Sequence, residues 1–154
     1  MRKTFKCNII LFFLIACFNG ILFGQEMTIV KDGVKKEIYY DRSHACNEEM
    51  VLSVAPQMPQ YNGGLEQLEF DLNDAIFIDK KVKEGIYLRC TVNCNGEIFG
   101  FLVDGGNNSD LKEKIINELL KLQNWQPAEH RGNKVDCFYG LGLRIKRGKI
   151  KLSR

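Results

Sequence analysis

In DLKEKIINELLKLQNWQPAEHRGNKVDCFYGLGLRI, Asp110 to Ile145, a helical pattern, a forced break and a final extended run follow one another in a single short piece of chain. Leu111, Ile115, Leu119 and Leu122 recur at spacings of four, four and three, so they line one face of a helix, while Lys112, Glu113, Asn117 and Lys121 point elsewhere. The pattern predicts an amphipathic helix lying on a core. Asp110 followed by Glu113 has the form of a capping box, and Gly105 to Ser109 supplies a polar loop before it. Pro127 disfavours helical geometry at Gln126 and donates no backbone hydrogen bond, so the chain must leave the helix around Gln123 to Trp125. Trp125, the one Trp, has enough apolar area to plug the end of a small core. After it, Gly132-Asn133-Lys134-Val135 opens an extended run, Lys134 to Ile145, that reads as the last strand.

Upstream, Pro56, Pro59 and Asn62-Gly63-Gly64 break the chain before a first helix, whose stripe is Leu65, Leu68, Leu72 and Ile76; Phe70 lies off that stripe. Ile86, Leu88, Cys90 and Val92 alternate with Tyr87, Arg89, Thr91 and Asn93, the period of a half-buried strand. Asn95-Gly96 turns it into a return strand, Glu97 to Asp104, where the apolar phase switches between Ile98 and Phe101 and predicts a bulge near Gly100. The order α-β-β-α-β predicts an α+β two-layer sandwich with two helices on one face of a three-stranded antiparallel sheet. A strand-helix-strand crossover places the last strand beside and antiparallel to the first, exposed at an edge.

The 154 residues, 45% hydrophobic, suit one domain with extras. Arg2, Lys3 and Lys6 precede an apolar run from Ile9 to Phe23, the layout of a signal peptide over residues 1–24, with cleavage expected at Gly24/Gln25. The run is shorter than the roughly 20 residues that cross a bilayer comfortably, which disfavours a retained signal anchor. Leu14-Ile15-Ala16-Cys17 also has the form of a lipobox, in which Cys17 would be lipidated. Membrane association follows only if the segment is retained or Cys17 carries lipid. Residues 25–53 form an extension in which Thr28-Ile29-Val30 and Val34 to Tyr40 flank Asp32-Gly33, a hairpin signal. Residues 54–146 are the main domain, and 147–154 a basic tail read as a solvated terminus.

The chain carries 22 Lys+Arg against 19 Asp+Glu; losing three basic residues with the signal leaves 19 against 19, so no nucleic-acid footprint remains. The expected mature chain keeps Cys46, Cys90, Cys94 and Cys137, and an even count in an exported protein favours disulfides, with three pairings open. With the last strand antiparallel to the first, Cys94 and Cys137 come near one another, which makes that pair the expected bridge. The ligand spacing around His44 and His130 matches none of the common zinc patterns, so no metal and no cofactor is expected, and both histidines read as loop residues.

Pro59-Gln60-Tyr61-Asn62-Gly63-Gly64, Gly85 opening a strand, Asn95-Gly96, Trp125-Gln126-Pro127-Ala128 and Gly132-Asn133-Lys134-Val135 together resemble the TonB C-terminal domain family over about Val54 to Ile145. The resemblance makes Gly63, Gly64, Trp125, Pro127 and Gly132 structural residues. In that family the domain is a periplasmic binding module whose last strand pairs with an extended segment of an outer-membrane transporter. It implies partner binding here along Lys134, Val135, Asp136, Cys137, Phe138, Tyr139, Gly140, Leu141, Gly142 and Leu143, for an outer-membrane transporter or another envelope protein, with no catalytic residue. Phe77-Ile78-Asp79 stands where the family often has Tyr-Pro, and Gly140 and Gly142 replace bulkier strand residues. Glycines there weaken a strand or let another backbone come close. Two alternatives remain beside the binding module: a membrane-anchored short energy transducer, and a thiol enzyme using Cys90 or Cys94.

Overall fold

Both helices form where the apolar spacing places them. The computed structural model describes residues 25–31, 34–40, 44–47 and 50–154, the first two segments by backbone alone. In chain order the elements are β1 (Gln25–Lys31), β2 (Val34–Tyr40), β3 (Gln60–Tyr61), α1 (Gly64–Ala75), β4 (Lys83–Val92), β5 (Ile98–Gly105), α2 (Ser109–Lys121), β6 (Trp125–Gln126), β7 (Ala128–His130), β8 (Asn133–Val135), β9 (Cys137–Lys146) and β10 (Lys149–Ser153). The signal segment 1–24, Cys17 and the Asp32-Gly33 turn lie outside the described residues.

α1 buries Leu68 and Leu72, and stops where Ile76 adopts extended backbone. α2 buries Leu111, Ile115, Ile116 and Leu119. Its cap is Asn108, whose side-chain oxygen accepts the Leu111 amide at 3.0 Å, rather than the expected pair Asp110 and Glu113. An extended Asn two residues earlier reaches the third amide of the helix and satisfies it directly.

The class is α+β, but the expected three-stranded sheet is corrected to a six-stranded antiparallel one, ordered β1-β2-β5-β4-β9-β10, with two small sheets, β3-β6 and β7-β8, beside it. The α-β-β-α-β order survives inside it as α1, β4, β5, α2 and β9. Two hairpins enlarge the sheet. β1 and β2 pair from Gln25↔Tyr40 to Lys31↔Val34, and β2 joins β5 through Glu37↔Val103, Ile38↔Leu102 and Tyr39↔Phe101. At the other end Arg147 and Gly148, with φ of 55° and 75°, turn β9 back into β10. Ile150 and Leu152 then lie opposite Ile145 and Leu143, and Ile150 is fully buried. The tail read as a solvated terminus is therefore a strand. Burial of an alternate-residue pair was enough to hold it, despite the charges between them.

One face of the sheet meets both helices. Ile86, Leu88, Cys90, Val92, Phe101, Val103, Tyr139, Leu141, Leu143, Ile145 and Ile150 share a core cluster with Leu68, Leu72, Leu111, Ile115 and Leu119. The bulge expected near Gly100 is present: Arg89 pairs with Leu102 but Thr91 with Phe99, so β5 carries the extra residue, and Gly100 has φ of 62°. Trp125 closes one end of the core, 5% exposed, with edge-on ring contacts to Tyr61 at 5.2 Å and Tyr139 at 5.0 Å. Gly96 explains why Asn95-Gly96 and the Trp125 motif belong together: a side chain there would run into the Trp125 carbonyl oxygen.

Candidate functional site

β9 holds most of the residues expected to bind a partner, and it is an interior strand. β4 pairs with it along its whole length, from Lys83↔Lys146 to Val92↔Cys137. β10 covers its other side from Gly142 to Lys146. At its start, Leu52 donates to the Asp136 carbonyl and accepts from the Phe138 amide, both at 2.9 Å. A continuous guest strand along Cys137, Phe138, Tyr139, Gly140, Leu141, Gly142 and Leu143 is thereby corrected: Leu52 and β10 leave only Tyr139 to Leu141 without a backbone neighbour on that side among the described residues, too short a gap for strand addition. Lys134 and Val135 lie apart from that strand, in the β7–β8 hairpin. The physical reason is the C-terminal hairpin: Ile150 and Leu152 gain burial only by lying against β9, so they occupy the position left for a guest. The glycines of β9 have a local cause. Tyr87, opposite Gly142, crosses the strand so that a Cβ on Gly140 would sit 2.8 Å from its hydroxyl oxygen.

The sheet's two edges differ. Along β10, α1 supplies side chains where a further strand would supply backbone. Asn73 accepts the Ile150 amide at 2.8 Å through Oδ1 and donates to the Ile150 carbonyl at 2.9 Å through Nδ2. Glu69 accepts the Leu152 amide at 2.9 Å and pairs with the Lys151 ammonium at 2.6 Å. The hydrogen bond from Lys151 holds the Glu69 carboxyl below its usual range. Arg154, 4.7 Å over the Tyr139 ring, donates to the Pro59 carbonyl at 2.8 Å and pins the end of the strand. β1, by contrast, has a neighbour on one side only among the described residues.

A second constellation sits where β4 and β9 meet their loops. The buried Asp136 carboxylate accepts the amides of Cys46 at 2.8 Å, Asn47 at 3.2 Å and Cys94 at 2.8 Å. Cys46 and Cys94 are joined in a disulfide, and Cys137 is a buried free thiol, so the expected Cys94–Cys137 bridge is corrected. Cys137 points into a small cluster with Ala55 and Ala128, whereas Cys94 lies beyond the end of β4 in the turn, facing residue 46. Asn93, fully buried, completes the junction by donating to the His44 carbonyl at 2.6 Å and to Glu97 at 2.8 Å. Cys46, Cys94 and Asp136 bring their sulfur and oxygen atoms within 4.8 Å of one another, but the sulfurs are bonded together and the carboxylate is occupied by amides. That chemistry is a staple.

Comparison with family models, curated proteins and solved structures finds no match. The likeness to TonB C-terminal domains thus rests on the residues that suggested it.

The remaining thiols are placed for packing. Cys90 is wholly buried on the helix face of β4, and burial pushes its thiol up; Cys137 is shifted the same way for the same reason. Nucleophilic cysteines need an electropositive, accessible setting, which neither has. Burial, aided by the hydrogen bond to Asp71 at 2.6 Å, likewise raises the Tyr61 phenol to about 12. No helix among the described residues is long and apolar enough to cross a membrane.

Sequence reasoning missed Asp136 as an anchor, Asn73 and Glu69 as edge caps, and Ile150 with Leu152 as a strand. For the last, the available signal was Arg147-Gly148 followed by alternation of Lys149, Lys151 and Ser153 with apolar residues.

Proposed function

We propose that the protein is a TonB-like envelope binding module that captures an extended segment of a partner along the outer edge of β1. The observation that carries this reading is the inequality of the edges. β10 is blunted by Asn73 and Glu69, a way in which sheets prevent further pairing, while β1 is paired on one side among the described residues. Thr28-Ile29-Val30 gives the middle of β1 β-branched residues suited to a ladder. Backbone groups would supply affinity and alternate side chains the choice of segment. The resemblance supports an outer-membrane transporter or other envelope protein as the partner class, and the Cys46–Cys94 disulfide fits a non-reducing compartment such as the periplasm.

The test is photocrosslinking in intact cells from a reactive residue at Thr28, with Lys151 and the buried Tyr139 as controls. Capture from Thr28 alone is the expected result; capture from Lys151 with none from Thr28 sinks the proposal. A proline scan separates pairing from folding. Of the neighbouring substitutions Thr28→Pro and Ile29→Pro, one removes an amide facing β2 and the other an amide facing outward, so one variant should lose capture while keeping its fold.

A further inference from the structure

The geometry points to a second docking surface, in which the corner built by the start of β4, the β9–β10 turn and the loop after α1 rests on an anionic lipid surface. Lys83, Lys146 and Lys149 are direct partners across three adjacent strands. Like charges placed opposite one another disfavour a ladder, so this row opposes folding and calls for a use elsewhere. Arg147 in the turn adds to it. Gly148 packs against the loop, where a Cβ would lie 2.9 Å from the Ile78 carbonyl oxygen and 3.4 Å from Lys80, which brings Lys80 and Lys81 to the same corner.

All six of these side chains are exposed, and none forms an ion pair among the described residues. Asp79 and Glu84, the acidic residues nearest in sequence, accept the Lys81 amide at 2.8 Å and the Asn107 amide at 2.9 Å and keep their charge, so the corner sets six cations against two carboxylates and stays net positive. Glu69 holds Lys151. One aromatic side chain accompanies the cations. Phe77 is 93% exposed between Ile76 and Ile78, which are 6% and 5% exposed, so its neighbours anchor in the core and hold it out into solvent. An outward aromatic in the same loop as Lys80 and Lys81, beside a net-positive corner, suits the boundary between headgroups and acyl chains. Cations spread along a rim, with a single apolar wedge, suit a continuous charged surface better than a small anion or a chain of stacked bases. The corner lies at the opposite side of the sheet from β1, so both surfaces can be occupied at once.

The experiment places the reporter at the contact. Phe77→Trp in the full chain should be quenched by brominated lipid in vesicles containing phosphatidylglycerol, and far less in vesicles of phosphatidylcholine alone. Buried Trp125 and the N-terminal apolar run are common to every variant. Adding Lys83→Gln, Lys146→Gln and Lys149→Gln should weaken binding roughly 100-fold, at the worth of one basic residue each near an anionic surface. Added salt should act in the same direction. Equal quenching in neutral vesicles, no response to the triple substitution, or heparin binding as tight as vesicle binding with residue 77 unaffected would overturn the assignment; the last would make the corner a general polyanion site.

Discussion

The two ends of β9 are built on opposite principles. At the Asp136 end a buried carboxylate gathers three amides, a disulfide crosses between loops, and Leu52 lies alongside as an extra partner. At the Lys146 end three lysines face one another across the ladder with no carboxylate paired to them among the described residues. Polar groups at the first end are satisfied by the fold itself; charges at the second are left for something outside it. Stability is concentrated at the first end and given up at the second, so substitutions at the two ends change it in opposite directions.

Asp136→Ala should have the largest effect. It strands the amides of Cys46, Asn47 and Cys94, two of them part of the disulfide, and should cost on the order of 4 kcal/mol in urea unfolding. A loss under about 1 kcal/mol would mean that water replaces the carboxylate without penalty. Reduction of Cys46–Cys94, or Cys46→Ser, comes next. The bridge closes a loop with a sequence separation of 48, and its removal should cost up to about 4 kcal/mol. Because the carboxylate and the disulfide hold the same two residues, the double variant should lose less than the sum of the single losses. Simple additivity would show that they are separate devices.

The same contrast shows what the sequence made legible. Both helices and the β4–β5 hairpin could be read because their signals are local: an apolar stripe, strict alternation and a turn pair each lie within one element. Gly100 marked its own bulge. The β1–β2 hairpin was also readable, but its docking onto β5 was not, since pairing between strands about 65 residues apart leaves no mark at short range. The edge was misassigned for a similar reason. Ile150 and Leu152 are only two apolar residues in a basic tail, and their burial depends on an empty place beside β9 that the sequence does not display. Asp136 reads as an ordinary break between extended runs. Its role comes from amides 42 to 90 residues away, and the choice of Cys46 over Cys137 as partner for Cys94 depends on that same long-range junction.

Lys146→Gln should have the smallest effect, and of the opposite sign. Lys146 stands between Lys83 and Lys149, so removing its charge relieves two like-charge contacts at once, and no ion pair is lost among the described residues. Stability should rise by roughly 0.5 kcal/mol at low ionic strength. The gain should shrink as salt screens the row. Lys134→Gln is the control: Lys134 is equally exposed but faces Glu129 across the β7–β8 hairpin, so its neutralisation should lower stability slightly under the same conditions. Denaturant midpoints for both variants at low and high salt separate the alternatives. If Lys146→Gln destabilised the protein at low salt, the lysine row would be supporting the ladder rather than opposing it, and the reason for expecting a partner at that corner would disappear.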